Sequence, residues 1–123
     1  MPTIKDDLHR IAFELPGVTE KGEGSYFFQC DGKNMIWPYP ERVHPKKARV
    51  PRFDQYLFRV ADLDDKQAFL EGEPETFFTT DHYDGYHTVI VRLDAIDESR
   101  LQELVQMAWD CAPLRTTPPK ASR

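Results

Sequence analysis

Between residues 42 and 52 the chain places Arg42, Lys46, Lys47, Arg49 and Arg52 with His44 and no acid, a local charge of +5. Cations gathered on one loop grip phosphates, and the neighbouring Trp37, Tyr39 and Phe53 offer rings that stack on a base or sugar. Arg42, Lys46, Lys47, Arg49, Arg52 and Trp37 are therefore the candidate nucleic-acid-binding residues, with DNA the expected partner. Five such cations reach roughly three to five phosphates, so binding is expected to fade steeply with salt. The competing explanation is charge balance, because residues 53–112 carry four basic against fourteen acidic side chains.

A second constellation is Asp81-His82-Tyr83-Asp84-Gly85-Tyr86-His87. Its two imidazoles have four residues between them, which is not a specific zinc spacing. Turns rich in Asp and Gly bond their own backbone instead. No metal is expected there. His82, Tyr83, Tyr86 and His87 remain candidate ligand-binding residues, since Gly85 lets the chain turn sharply and bring the rings together. Nucleophilic chemistry finds no support. Cys30 and Cys111 have no histidine close in sequence, and Ser25 and Ser99 sit in no nucleophile elbow. No catalytic residue and no cofactor are expected.

The elements that must position these groups follow from hydrophobic spacing. Ile4, Leu8, Ile11, Ala12 and Leu15 mark an opening helix capped by Thr3 and ended by Pro16-Gly17. A polar, glycine-bearing stretch runs to Gly24. Residues 25–30 and 33–37 read as antiparallel strands about an Asp31-Gly32 turn. Residues 38–51 hold Pro38, Pro40, Pro45 and Pro51, a density that predicts a long exposed loop. Residues 55–61 read as a strand with Tyr56, Phe58 and Val60 on one face and Leu57 and Arg59 on the other. A short helix over 64–71, strands over 76–80 and 87–93, and a last helix capped by Asp97 and closed by Pro113 complete the order. Residues 116–123 read as a disordered tail. Phe27, Phe58, Phe69, Phe77 and Trp109 are expected in the core, while Tyr26, Trp37 and Tyr86 are expected to share a concave sheet face.

Composition bounds the rest. At 123 residues with 40% hydrophobic and 12% aromatic side chains, one cored domain is expected over residues 1–115. A formal net charge of -5 argues against a uniformly basic binder. No apolar run approaches the roughly 20 residues of a membrane span. Two cysteines and an N-terminus without signal-peptide character lead to the expectation of a cytoplasmic chain.

Three stretches resemble the MmcQ/YjbR-like family: Leu15-Pro16-Gly17-Val18-Thr19-Glu20; Glu73-Pro74-Glu75-Thr76-Phe77-Phe78-Thr79-Thr80-Asp81-His82-Tyr83-Asp84-Gly85-Tyr86; and Val89-Ile90-Val91-Arg92-Leu93 with Ile96-Asp97 and the closing helix. The resemblance implies a small bacterial domain with a frataxin-like (CyaY-like) fold and a DNA-binding function described for members, without a defining catalytic motif. It carries nothing onto residues 37–53.

The expectations are thus an α+β domain, a two-layer sandwich in α-β3-α-β2-α order with a mostly antiparallel sheet and helices on one face. Its expected function is non-enzymatic nucleic-acid binding through residues 42–52. The alternative is a module that holds a small molecule or protein on the sheet face and the 81–87 turn. A monomer is expected, with a homodimer left open.

Overall fold

Asp31 and Gly32 both adopt positive φ (52° and 81°), the conformation a two-residue hairpin turn demands, and glycine takes it without cost. Around them β2 (Phe28–Cys30) and β3 (Lys33–Glu41) pair antiparallel, with Cys30 opposite Lys33. The computed structural model describes residues 2–42 and 44–114. The proposed tail at 116–123, with Arg115 and Lys120, lies outside them.

Among the described residues three α-helices, α1 (Lys5–Ala12), α2 (Leu63–Gly72) and α3 (Glu98–Leu114), accompany one six-stranded antiparallel sheet. Its other strands are β1 (Val18–Glu20), β4 (Val50–Arg59), β5 (Phe77–Phe78) and β6 (Thr88–Arg92), in the spatial order β1-β2-β3-β4-β6-β5. Four strands precede α2, one more than expected. The stretch after Gly17 supplies β1, too short at three residues to show alternation.

Alternation sorts the sheet's two faces. Tyr56 pairs with Val91 and Phe58 with Val89, and all four pack with Leu8, Ile11, Leu101, Leu104 and Val105 of the helices. Leu57 and Ile90, opposite each other, point the other way into a second cluster with Tyr83. The expected division of β4 therefore holds. Asp97 caps α3 as anticipated, its carboxylate accepting from the Arg100 N–H at 2.9 Å. Thr3 does not cap α1. Its hydroxyl is buried and donates to the Leu93 carbonyl at 2.6 Å, while the Ile4 N–H donates to Asp7 at 3.0 Å.

The largest departure concerns residues 38–51. Pro38 and Pro40 lie within β3 and Pro51 within β4. The ladder accepts them because Pro40 faces Pro51, a pair in which neither residue has an N–H to give. Beyond Ile36, the last β3 residue paired with β2, the outer edge of β3 borders no strand among the described residues. Proline there also removes donors that would invite edge pairing.

The Tyr56 hydroxyl is buried and, among the described residues, unpartnered, as is that of Thr88. Tyr56→Phe is expected to raise stability by about 1 kcal/mol at neutral pH, because an unpaired buried hydroxyl costs more than a ring hydrogen. Burial pushes the Tyr56 and Tyr83 hydroxyls above their usual 10.0, and the Cys30 and Cys111 thiols above 9.0. Groups raised in the fold contribute stability that is complete below the unfolded value and lost as pH climbs toward the folded one. The urea midpoint should therefore fall from pH 8 to pH 11, and fall less steeply above pH 10 in Tyr56→Phe. A flat profile would contradict this account of the core.

Candidate functional site

Past Ile36 on one side and Gln55 on the other, β3 and β4 pair, among the described residues, only with each other. Their register jumps from Pro38 opposite Tyr56 to Tyr39 opposite Arg52, leaving Phe53, Asp54 and Gln55 as an extended bulge on β4. Such a bulge bends and twists a ribbon. Three further ladder pairs then carry the arm ~10 Å onward at ~3.3 Å per residue. The basic segment is the tip of this arm.

The five tip cations do not share one role. The Arg42 guanidinium donates to the carbonyls of Pro45 and Lys47, each at 3.2 Å, and so closes the loop on itself. Arg49 donates to the Pro40 carbonyl at 3.1 Å across the ribbon. Arg52 spans two carboxylates, Glu41 and Asp54, each at 2.8 Å. Those carboxylates raise its pKa and cancel its charge locally. Lys46 and Lys47 are exposed and have no side-chain partner among the described residues. Arginine thus builds the tip, and the two lysine side chains stand exposed on it.

At the base of the arm lies a groove of about 500 Å³, lined by Lys21, Ser25 and Phe27 from one side and Trp37, Pro38, Pro40, Arg49, Pro51 and Phe53 from the ribbon. Phe27 stacks on Trp37 with centroids 5.8 Å apart and planes 17° apart. The Lys21 ammonium lies 5.1 Å from the Phe27 ring centre, and the Arg59 guanidinium 5.7 Å from that of Trp37. Phe27 was expected in the core. Tyr26 adopts φ 55°, its N–H donating to Glu20 at 2.7 Å, and Phe28 then takes the core position while Phe27 faces the groove. Tyr26 also leaves the company of Trp37 and Tyr86. Its ring packs on the helical side beside His9 and its hydroxyl donates to Asp6 at 2.9 Å.

The 81–87 turn covers the middle of the same sheet face. Trp37, Leu57, Ile90 and Phe78 form one row of paired positions across β3, β4, β6 and β5. Tyr83 is buried against this row, 6.4 Å from Tyr39 between ring centres. Burial pushes its hydroxyl up, while the Trp37 indole and the Arg49 charge act against that. Tyr83, placed with the turn, thus packs in one cluster with Trp37, placed with the basic loop, and feels the charge of Arg49. His82 and Tyr86 are exposed, their rings 5.8 Å apart, and His87 is half-buried. Among the described residues no group of three His, Cys, Asp or Glu side chains is placed to hold a metal.

Lys66 organises the turn, and nothing in the sequence pattern marks it. It sits on α2, 3% exposed, and its ammonium donates to the carbonyls of Tyr83, Asp84 (3.2 Å) and Tyr86 (2.9 Å). Of the groove residues, Phe53 stands beside the basic loop in the sequence as a stacking ring, whereas nothing there marks Lys21 or Phe27 as its neighbours, since they are far away in the chain. For Phe27 the one legible signal was the Phe27-Phe28 pair, of which only one ring can face the core.

No protein-family model matches the chain, and no solved structure matches it. It is similar to the uncharacterised proteins Mb2600 of Mycobacterium bovis and MT2646 and Rv2570 of Mycobacterium tuberculosis. Each is 34% identical over 110 residues, covering 85% of this chain and 84% of the relative.

Proposed function

The chain belongs to the family of these mycobacterial proteins, and we propose that it binds nucleic acid, without catalysis, through the β3–β4 arm. One observation carries this most: a ribbon free of the sheet ends in a tip where the Lys46 and Lys47 side chains are unpaired among the described residues, while Arg42 and Arg49 hold its shape. A loop that only balanced the acidic half would pair its cations with that half. Among the described residues Arg52 alone of the five pairs with an acid of that half, Asp54, and also with Glu41, while the other four cations have no carboxylate partner. The net charge of -5 does not oppose this, because recognition is local to the tip.

An MmcQ/YjbR-like assignment belongs to the same proposal, with a two-layer α+β arrangement whose helices cover one sheet face. Its support is that the buried side chains of α1 and α3, and the half-buried Phe69 and Leu70 of α2, join one cluster with one face of the strands. A cytoplasmic location is in keeping with a nucleic-acid partner, and no helix among the described residues is long and apolar enough to cross a membrane.

The test is fluorescence anisotropy of a labelled 20-nucleotide DNA, single-stranded and duplex, at 20 mM and 200 mM salt. Binding at low salt that fades with a log–log slope of roughly -2 to -4 is expected. No detectable binding to either form at low salt would overturn the proposal.

A second arrangement, a small molecule held by His82, Tyr83, Tyr86 and His87, has one favourable observation: Tyr83 and Tyr86 pack at 5.4 Å beside His82. Lys66 and the carbonyls around it, however, explain that turn as a self-contained structural cap.

A further inference from the structure

We infer that the groove at the base of the arm takes one unpaired nucleobase, so that the partner is single-stranded rather than duplex nucleic acid; this rests on the nucleic-acid function proposed above. The groove's volume, about 500 Å³, suits a nucleotide-sized group and not a helix or a folded chain. Its walls are rings and prolines: Phe27, Trp37 and Phe53 with Pro38, Pro40 and Pro51. These are flat apolar surfaces, the chemistry on which a base face stacks whatever its sequence.

Among the described residues, the only charged side chains lining it are Lys21 and Arg49, both cationic. Arg49 is pinned at the wall by its bond to the Pro40 carbonyl and Lys21 lies over the Phe27 ring. An occupant must therefore be planar and apolar at its centre and anionic at its rim, as a nucleotide is. Bases in a duplex are already stacked and show only their edges, so an intact duplex has no base face to offer.

A peptide strand added to β3 fits less well. The unpaired edge that borders the groove carries Pro38 and Pro40, which have no N–H for a ladder. From the groove, the same ribbon leads to Lys46 and Lys47, which would hold the phosphates that follow the docked base.

The experiment uses the full chain carrying Trp109→Phe, so that Trp37 is its only tryptophan. It is titrated with a 12-nucleotide single strand, the same strand as a duplex, the same strand with abasic sugars at its centre, and polyglutamate. The single strand should bind at least tenfold more tightly than the duplex and quench Trp37. Abasic sugars, and separately Phe53→Ala, should each cost roughly tenfold, about the worth of one stacked base, without changing the salt slope. Phe53 also packs on Tyr26, with ring centres 5.8 Å apart, so the urea midpoint of Phe53→Ala is compared with that of the parent, and the abasic strand tests the same point with no mutation.

Equal binding of strand, abasic strand and duplex with unchanged Trp37 emission would overturn base docking while leaving the arm's phosphate grip standing. Polyglutamate that quenches Trp37 as the strand does would overturn it too, in favour of an acidic peptide. Absence of binding to every nucleic acid would instead remove the function on which the inference rests.

Discussion

Replacing Lys46 and Lys47 together by alanine is expected to weaken binding to single-stranded DNA roughly twenty-fivefold at 0.1 M salt and to lower the salt slope by about 1.4. Each phosphate of a single strand that a lysine neutralises releases counterions and contributes about 0.7 to the slope, so two such phosphates are worth about 1.4 powers of ten at that salt. The choice of these two residues follows from the fates of the five tip cations. Arg42 and Arg49 bond backbone carbonyls, so their loss would loosen the loop as well as remove charge. Arg52 is compensated by Glu41 and Asp54, and its loss would expose two carboxylates beside the ligand. The exposed Lys46 and Lys47 side chains hold no part of the fold in place, so the double variant should unfold at the same urea concentration as the parent. A variant that keeps full affinity and slope would show that the phosphates lie elsewhere.

Lys66→Met is expected to destabilise the protein by about 2–4 kcal/mol, the largest effect of any single polar substitution here. The methionine keeps the apolar stem that α2 buries but removes the ammonium on which the Tyr83, Asp84 and Tyr86 carbonyls converge. A charge-assisted bond is worth roughly twice a neutral one, and three acceptors lose theirs at once. The gain from not burying a charge offsets part of this, which is why the loss stays below the sum of three bonds.

Burial lowers the Lys66 pKa from 10.5, with Asp84 acting against it. The unfolded chain therefore binds more protons between the lowered value and 10.5, and this group alone makes stability rise with pH in that window. Its sign is opposite to that of the tyrosines and thiols, so Lys66→Met should also steepen the alkaline decline. Urea unfolding at pH 7 and pH 10 measures both effects; an unchanged midpoint would mean that the turn does not need the lysine.

Much of the frame was legible because the local chemistry is strong. Asp31-Gly32 permits the positive φ of its turn, and Leu57 against Tyr56 and Phe58 shows an alternation that only a two-sided strand needs. The arm was hidden by a sound rule applied out of place. Prolines do break central strands, but Pro38 and Pro40 lie beyond the last residue paired with β2, and Pro40 and Pro51 face each other. The proline density of residues 38–51 marked the tip as exposed, yet the charge along 42–52 could not show which cations the backbone would consume. The groove was illegible for another reason. It joins residues near 21–27 with residues near 37–53, and their meeting depends on the Tyr26 backbone reversal and the β4 bulge, neither of which has a periodic signature.

The most direct measurement of the central claim is an NMR titration of the ¹⁵N-labelled full chain with a 12-nucleotide single-stranded DNA at 20 mM salt. Binding through the arm predicts that amide shifts concentrate in residues 42–53 and in Lys21, Phe27 and Trp37 at the groove, and that they reverse as salt is raised. Shifts confined to residues 81–87, or none at all, would contradict it.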